Sequence, residues 1–115
     1  MHEMGVAMQM VEIALSSIPK NINNPRIKKI NLKIGELTAI VEDSFKFCFK
    51  IITEDTPLKN AKLIIESVPV KAQCQNCNHT WDVKNSVFTC PGCEKGTVDL
   101  ISGRELEILS LEIEE

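Results

Sequence analysis

Four of the five cysteines form two pairs with C-x2-C spacing, and twelve residues separate the pairs. The first pair is Cys74 and Cys77, and the second is Cys90 and Cys93. Each pair supplies two sulfurs from one tight turn, and a hairpin between the pairs brings the two turns together. Because four thiolates fill the tetrahedral shell of zinc, this spacing predicts a closed, structural Zn(II) site.

Three other chemistries use the same four cysteines. A redox-active C-x-x-C pair is one, although two matched pairs favour metal. A rubredoxin-like iron site has the same ligands, but the rest of the chain is far more than such a protein needs. A zinc ribbon for nucleic acid is the third. Lys71, Lys84 and Lys95 lie in this segment, but they form no basic, aromatic-rich surface.

His79, one of two histidines, lies two residues beyond Cys77. The simpler interpretation is a surface histidine near the metal. The alternative is a ligand that replaces a cysteine in another state of the site. If the coordination changes, we expect His79 to be the substitute.

The other histidine, His2, directly follows Met1. The Met1 α-amine, the His2 backbone nitrogen and its imidazole Nδ1 close two fused chelate rings on one metal ion. The amide nitrogen or carboxylate of Glu3, or an outside ligand, supplies a further donor. A nitrogen-rich square plane suits Ni(II) or Cu(II), and an exposed, pH-dependent site suits transient loading and delivery. From the residues alone, a histidine at this position is more often fortuitous, so both interpretations stay open at this point.

The remaining polar residues form no convincing nucleophile–base pair or catalytic dyad, so we do not expect an enzyme. Gly35 follows a predicted strand without a phosphate-loop pattern. Glu36, Glu42 and Asp43 are explained by helix caps and solvated turns.

Two helices are predicted to support these sites. The first has an apolar face at three- and four-residue steps, made of Met4, Ala7, Met8, Val11, Ala14, Leu15 and Ile18, and Pro19 ends it. We therefore assign Met4 and Met8 to packing. The second helix has Asp43 or Ser44 as its N-cap, and its apolar face contains Phe45, Cys48, Phe49 and Ile52.

Three strands complete the predicted core. In the first, Ile30, Leu32 and Ile34 alternate with Lys29, Asn31 and Lys33. The second runs over residues 61–70 and the third over residues 104–112. In the third strand Leu106 and Ile108 lie on one face, but Leu109, Leu111 and Ile113 lie on the other. A β-bulge near residues 108–110 reconciles the two sets.

This order predicts an α+β fold: a small three-stranded sheet covered by two helices, with an inserted zinc-ribbon-like module. The proposed domains are residues 1–70 with 103–115, and residues 71–102, which bind zinc. Because terminal strands flank the insert, this arrangement permits a homodimer by domain swapping.

The net charge of the 115-residue chain is -3, with a pI near 5.4, which argues against a nucleic-acid partner. No apolar run approaches the ~20 residues that span a bilayer, and the N-terminus lacks a secretory signal. We therefore expect a cytoplasmic protein that does not bind membranes. In that reducing compartment, paired cysteines hold metal more often than they form disulfides.

The chain as a whole resembles the HypA/HybF family of hydrogenase nickel-incorporation proteins. The resemblance rests on "MHEM", "IKKINLKIGELTAIVEDSFKFCF", "TPLKNAKLIIESVPVKAQC", the paired "CQNC" and "CPGC", and "SGRELEILSLEIE". These segments occur in the family's order from residue 1 to about residue 114.

The resemblance implies a nickel metallochaperone, which works with a HypB-type GTPase and delivers Ni(II) to the [NiFe] hydrogenase large-subunit precursor. It implies that His2 is the essential nickel ligand, beside the Met1 amine and Glu3, and that the four paired cysteines hold structural zinc. Some members also serve urease. Some have a histidine after each cysteine pair and change zinc coordination. Here His79 follows the first pair but Glu94 follows the second. The alternative is a zinc-ribbon module that binds protein or nucleic acid and has no nickel role.

Overall fold

The structure is a computed structural model that describes residues 3–84, 87–94 and 97–114. Along the chain the elements are α1 (Glu3–Ser16), β1 (Arg26–Gly35), a short 3-10 turn (Glu36–Thr38), α2 (Glu42–Ile52), β2 (Lys62–Val68), β3 (Lys71–Cys74), β4 (Thr80–Asp82), β5 (Val98–Ser102) and β6 (Leu106–Glu114). The strands form two three-stranded sheets, in the orders β2-β1-β6 and β4-β3-β5.

β1 is the central strand of the first sheet, and its apolar side chains alternate with polar ones. Ile30, Leu32 and Ile34 are buried. β2 pairs with β1 in parallel and β6 pairs with it antiparallel. Parallel neighbours require a crossover connection, which α2 provides. Both helices contribute to the same buried cluster as the sheet, which confirms the predicted α+β core.

The predicted apolar face of α1 is partly wrong. Met4 and Met8 are 38% and 57% exposed, whereas Val6 and Met10 are buried beside Ala7, Val11 and Ala14. The helix is apolar over much of its circumference, so its three- and four-residue periodicity fits two neighbouring faces. Packing against the sheet and α2 selects between them. Neither α1 nor α2 has the length and hydropathy to span a membrane.

The predicted N-cap of α2 is also wrong. The helix begins at Glu42 and its N-cap is Val41, with no side-chain capping bond. The apolar face is as predicted. Phe45 and Phe49 are buried, and Cys48 and Ile52 pack against the same cluster.

The predicted bulge in the last strand is confirmed. Asn31 pairs with Ser110, but the next residue, Leu32, pairs with Ile108, so Leu109 is the extra residue. Leu109 is half exposed, while Leu106, Ile108, Leu111 and Ile113 all pack against the core. The bulge therefore returns the strand to the buried face after one outward residue.

The two sheets meet at a junction formed by Gly35, Val70 and Gly103. Gly103 has φ of +115°, and a Cβ on Gly35 would overlap the carbonyl group of Gly103. The Gly35 amide donates to the Glu105 carbonyl at 2.7 Å, the Leu37 amide donates to the Gly103 carbonyl at 2.9 Å, and Val70 lies directly against Gly103. Both chain segments that lead into and out of the second sheet are thus held close to the end of β1.

Candidate metal centre

Both cysteine pairs adopt the same local turn. The Asn78 amide donates to the Cys74 carbonyl at 2.9 Å, and the Glu94 amide donates to the Cys90 carbonyl at 3.0 Å. Asn78 and Glu94 both have positive φ, 62° and 57°. Asparagine adopts this left-handed conformation more readily than most residues, so the glutamate marks a strained backbone position beside the second pair.

The second sheet positions the first pair. Cys74 is the last residue of β3, and its amide donates to the His79 carbonyl at 2.9 Å. The next residue, Gln75, is held to β5 from two sides. Its amide donates to the Thr97 carbonyl at 2.9 Å, and its side-chain Nε2 donates to Asp99 Oδ1 at 2.7 Å. The hairpin strands therefore fix where the first two sulfurs lie.

The four sulfur atoms lie in one cluster, and all of them are within 4.8 Å of one another. Two of the separations are 3.6 Å, between Cys74 and Cys93 and between Cys77 and Cys90. Zn–S bonds of about 2.3 Å in tetrahedral geometry require sulfurs about 3.8 Å apart. The separations are far too long for disulfide bonds, and the donor set fits a four-coordinate thiophilic ion.

The four ligands differ in exposure. Cys74 and Cys90 are buried, Cys93 is partly exposed and Cys77 is exposed. The His79 backbone amide lowers the pKa of the Cys77 thiol, but the Cys90 side chain, burial and the two other cysteines outweigh it and raise that pKa to about 12. The Cys93 backbone amide holds the pKa of the Cys90 thiol below its usual value. A bound cation favours the deprotonated form of the sulfurs that coordinate it.

His79 lies beside the cluster and against Trp81. The two rings stack with centroids 5.9 Å apart and an interplanar angle of 14°. A Cβ on Gly92 would lie 3.8 Å from His79 Cγ, so the histidine covers the second turn. Among the described residues, the group suited to a metal consists of the four cysteines. A ligand role for His79 stays a prediction.

The apolar residues between the two cysteine pairs differ in burial. Trp81 and Val83 are half-buried, but Phe88 is 39% exposed. Two residues were missed from the sequence: Asn76, whose side chain donates to Cys93 Sγ, and Val41, whose amide donates to the Glu3 carboxylate. An amide side chain between two cysteines was the signal available for Asn76.

Of the predicted nickel ligands, Met1 and His2 lie outside the described residues. Glu3 is the first residue of α1 and is half-buried. Its Oε2 accepts a hydrogen bond from the Val41 amide at 3.2 Å. Because Val41 is the N-cap of α2, this contact connects the starts of the two helices. The role of Glu3 as a nickel ligand stays a prediction.

Comparison with known proteins gives the family. A family model described as "Hydrogenase/urease nickel incorporation, metallochaperone, hypA" matches residues 1–113. The chain belongs to the HypA family. That match extends over both sheets and over all four clustered cysteines.

Individual HypA proteins resemble the chain over nearly its whole length. It is 53% identical over 115 residues to the hydrogenase maturation factor HypA of Desulfosudis oleivorans, with 100% of both chains covered. It is 48% identical over 113 residues to HypA of Desulfatibacillum aliphaticivorans, with 98% of this chain and 87% of that protein covered. The solution structure of the Ni metallochaperone HypA from Helicobacter pylori matches with a TM-score of 0.69 and 27% identity, covering 98% and 97% of the two chains.

Proposed function

We propose that this HypA-family protein is a nickel metallochaperone that binds Ni(II) at its N-terminus and delivers it to the [NiFe] hydrogenase large-subunit precursor. The observation that carries the proposal is the family match over residues 1–113, which includes His2 and all four paired cysteines. The protein binds and releases nickel and has no turnover of its own.

Nickel is the cargo, and the N-terminal donors suit it. The Met1 amine, the His2 amide nitrogen and the His2 imidazole Nδ1 supply three nitrogens in one plane, and Glu3 supplies a further donor. Ni(II) displaces protons from the amine, amide and imidazole as it binds. The bond from the Val41 amide to the Glu3 carboxylate supports this arrangement, because it holds the residue next to the chelate against a fixed helix end.

The four clustered cysteines hold structural Zn(II) in the proposed zinc domain, residues 71–102. The fit of four sulfurs within 4.8 Å of one another supports zinc there. Zinc supplies cross-links between two turns that have no disulfide, and the chain's residues supply the thiolate ligands. Residues 1–70 and 103–115 form the proposed nickel-binding domain.

Two partners follow from the proposed role: the HypB-type GTPase of the maturation pathway and the hydrogenase precursor. The handover takes place when ligands of a partner compete for nickel held by a short, exposed chelate. The cytoplasm is the proposed location, since its reducing conditions keep four paired thiols available for zinc.

A transfer experiment tests delivery. The untagged protein is loaded with one equivalent of nickel and mixed with the nickel-free precursor in the presence of the GTPase and GTP. After separation by size, the nickel in each fraction is measured by mass spectrometry. We expect nickel to reach the precursor faster from this protein than from nickel mixed with the His2→Ala variant. Equal transfer from both would contradict the proposal.

A further inference from the structure

The solvent side of the sulfur cluster is made by two of its four cysteines. Cys74 and Cys90 are 0% and 1% exposed, whereas Cys93 is partly exposed and Cys77 is exposed. A chelator or an electrophile therefore reaches the centre first through Cys77 or Cys93. The groups that contact these two sulfurs decide which sulfur leaves the metal first.

Cys93 has a side-chain donor that comes from the other turn. Asn76 Nδ2 donates to Cys93 Sγ at 3.7 Å, a normal length for a bond to sulfur. Asn76 lies between Cys74 and Cys77, so the bond joins the first turn to a sulfur of the second. The backbone bond from the Asn78 amide to the Cys74 carbonyl fixes the turn that carries it.

Cys77 has a different environment. Its sulfur lies 3.6 Å from the Cys90 sulfur, and the His79 backbone amide donates to it. Within residues 3–84, 87–94 and 97–114, no side-chain amide is recorded on the Cys77 sulfur. Both solvent-facing sulfurs therefore have an N–H donor, but the donor to Cys77 comes from its own turn, whereas the donor to Cys93 is the exposed Asn76 side chain of the opposite turn.

A donor on a thiolate ligand changes the chemistry of the centre. Four thiolates around Zn(II) leave a net charge of -2, and an N–H group on one sulfur withdraws electron density from it. That sulfur becomes a weaker nucleophile, and the donor also orients it toward the metal.

We propose that Asn76 is a positioning residue of the metal centre, which holds and shields Cys93 so that the centre opens at Cys77. The inference rests on the proposed zinc centre. It assigns Cys77 as the ligand that first leaves the metal, with Cys93 retained by the opposite turn.

Site-resolved alkylation of the zinc-loaded protein tests this assignment. Full-length protein with one zinc per chain is treated with a limiting amount of N-ethylmaleimide, and peptide mass spectrometry gives the fraction modified at each cysteine. We expect Cys77 to react first. In Asn76→Leu and Asn76→Asp, the ratio of Cys93 to Cys77 modification is expected to rise about tenfold, the lower end of the effect of an outer-shell partner.

Asn78→Asp is the matched control, because it makes the same chemical change in the same turn. Asn78 is exposed, and aspartate tolerates its positive φ. We expect the control to leave the ratio unchanged. A general loosening of the fold would raise modification at all four cysteines and would not change their order.

The outcomes separate the two proposals. If metal analysis finds no zinc in the native protein, the zinc centre is wrong and the role of Asn76 falls with it. If zinc is present but Cys93 reacts before Cys77 in the native protein, or both Asn76 variants keep the native ratio, only the role of Asn76 is wrong. A rise in the ratio for Asn78→Asp would also overturn it, because charge or turn geometry would then be the cause.

Discussion

Two kinds of residue contact define the metal centre: the local turn within each cysteine pair and the contacts between the two turns. The C-x2-C spacing fixes sulfur positions through local turns, and both pairs indeed use the same turn, closed by Asn78 and Glu94. The exposure of Cys77 and the donor on Cys93 arise where separate turns meet. Residue spacing along the chain does not determine such contacts, so the exposure of Cys77 and the donor on Cys93 could be identified only from the folded structure.

The burial of the methionines gives a prediction at the same scale. Met10 is 3% exposed and Met8 is 57% exposed on the same helix. Met10→Ala leaves a cavity, so we expect it to lower the free energy of unfolding by about 2–5 kcal/mol. Met8→Ala is the matched control and is expected to change it by less than about 0.5 kcal/mol. Urea unfolding followed by circular dichroism measures both. Equal losses of stability in the two variants would instead favour the apolar face predicted from periodicity, which contains Met8.

Helices and strands were predictable where one period dominated. The strict alternation of β1 and the phase break in β6 predicted a buried face and a bulge, and both are present. α1 was harder, since a helix with apolar residues on adjacent faces needs tertiary packing to choose between them. The parallel pairing of β1 with β2 and the separate sheet of the cysteine segment depend on distant contacts.

The junction between the sheets gives a prediction for whole elements. A Cβ on Gly35 would overlap backbone atoms of Gly103 and Arg104. Backbone cannot yield as a flexible side chain can, so we expect Gly35→Ala to destabilise the protein by about 1–3 kcal/mol or more.

Gly5→Ala is the control for this substitution. Gly5 lies in α1, with nothing within 4 Å of an added Cβ, and the change is expected to stabilise the protein by about 0.5–1 kcal/mol. Thermal unfolding compares the two variants. If Gly35→Ala were as stable as the parent chain, the two sheets would not be joined as described.

The whole molecule is elongated, with extents of 58 × 26 × 17 Å. The first sheet packs against both helices, and the second sheet positions the first cysteine pair. β3 begins at Lys71, the residue at which the proposed zinc-binding segment starts, and the division of the chain into two domains stays a prediction. The proposal that Met1 and His2 bind nickel rests on the residue order at the N-terminus and on the family resemblance.

The most direct test of the nickel proposal is a titration of untagged protein with Ni(II), compared with His2→Ala and with a form extended by two residues at the N-terminus. The extension removes the free amine from the chelate and leaves His2 in the chain. We predict one tight site in the native protein and an affinity lower by about 100-fold or more in both altered forms, because loss of a direct ligand exceeds the 10–100-fold effect of an outer-shell partner. Equal affinity in all three forms would contradict nickel binding at the N-terminus.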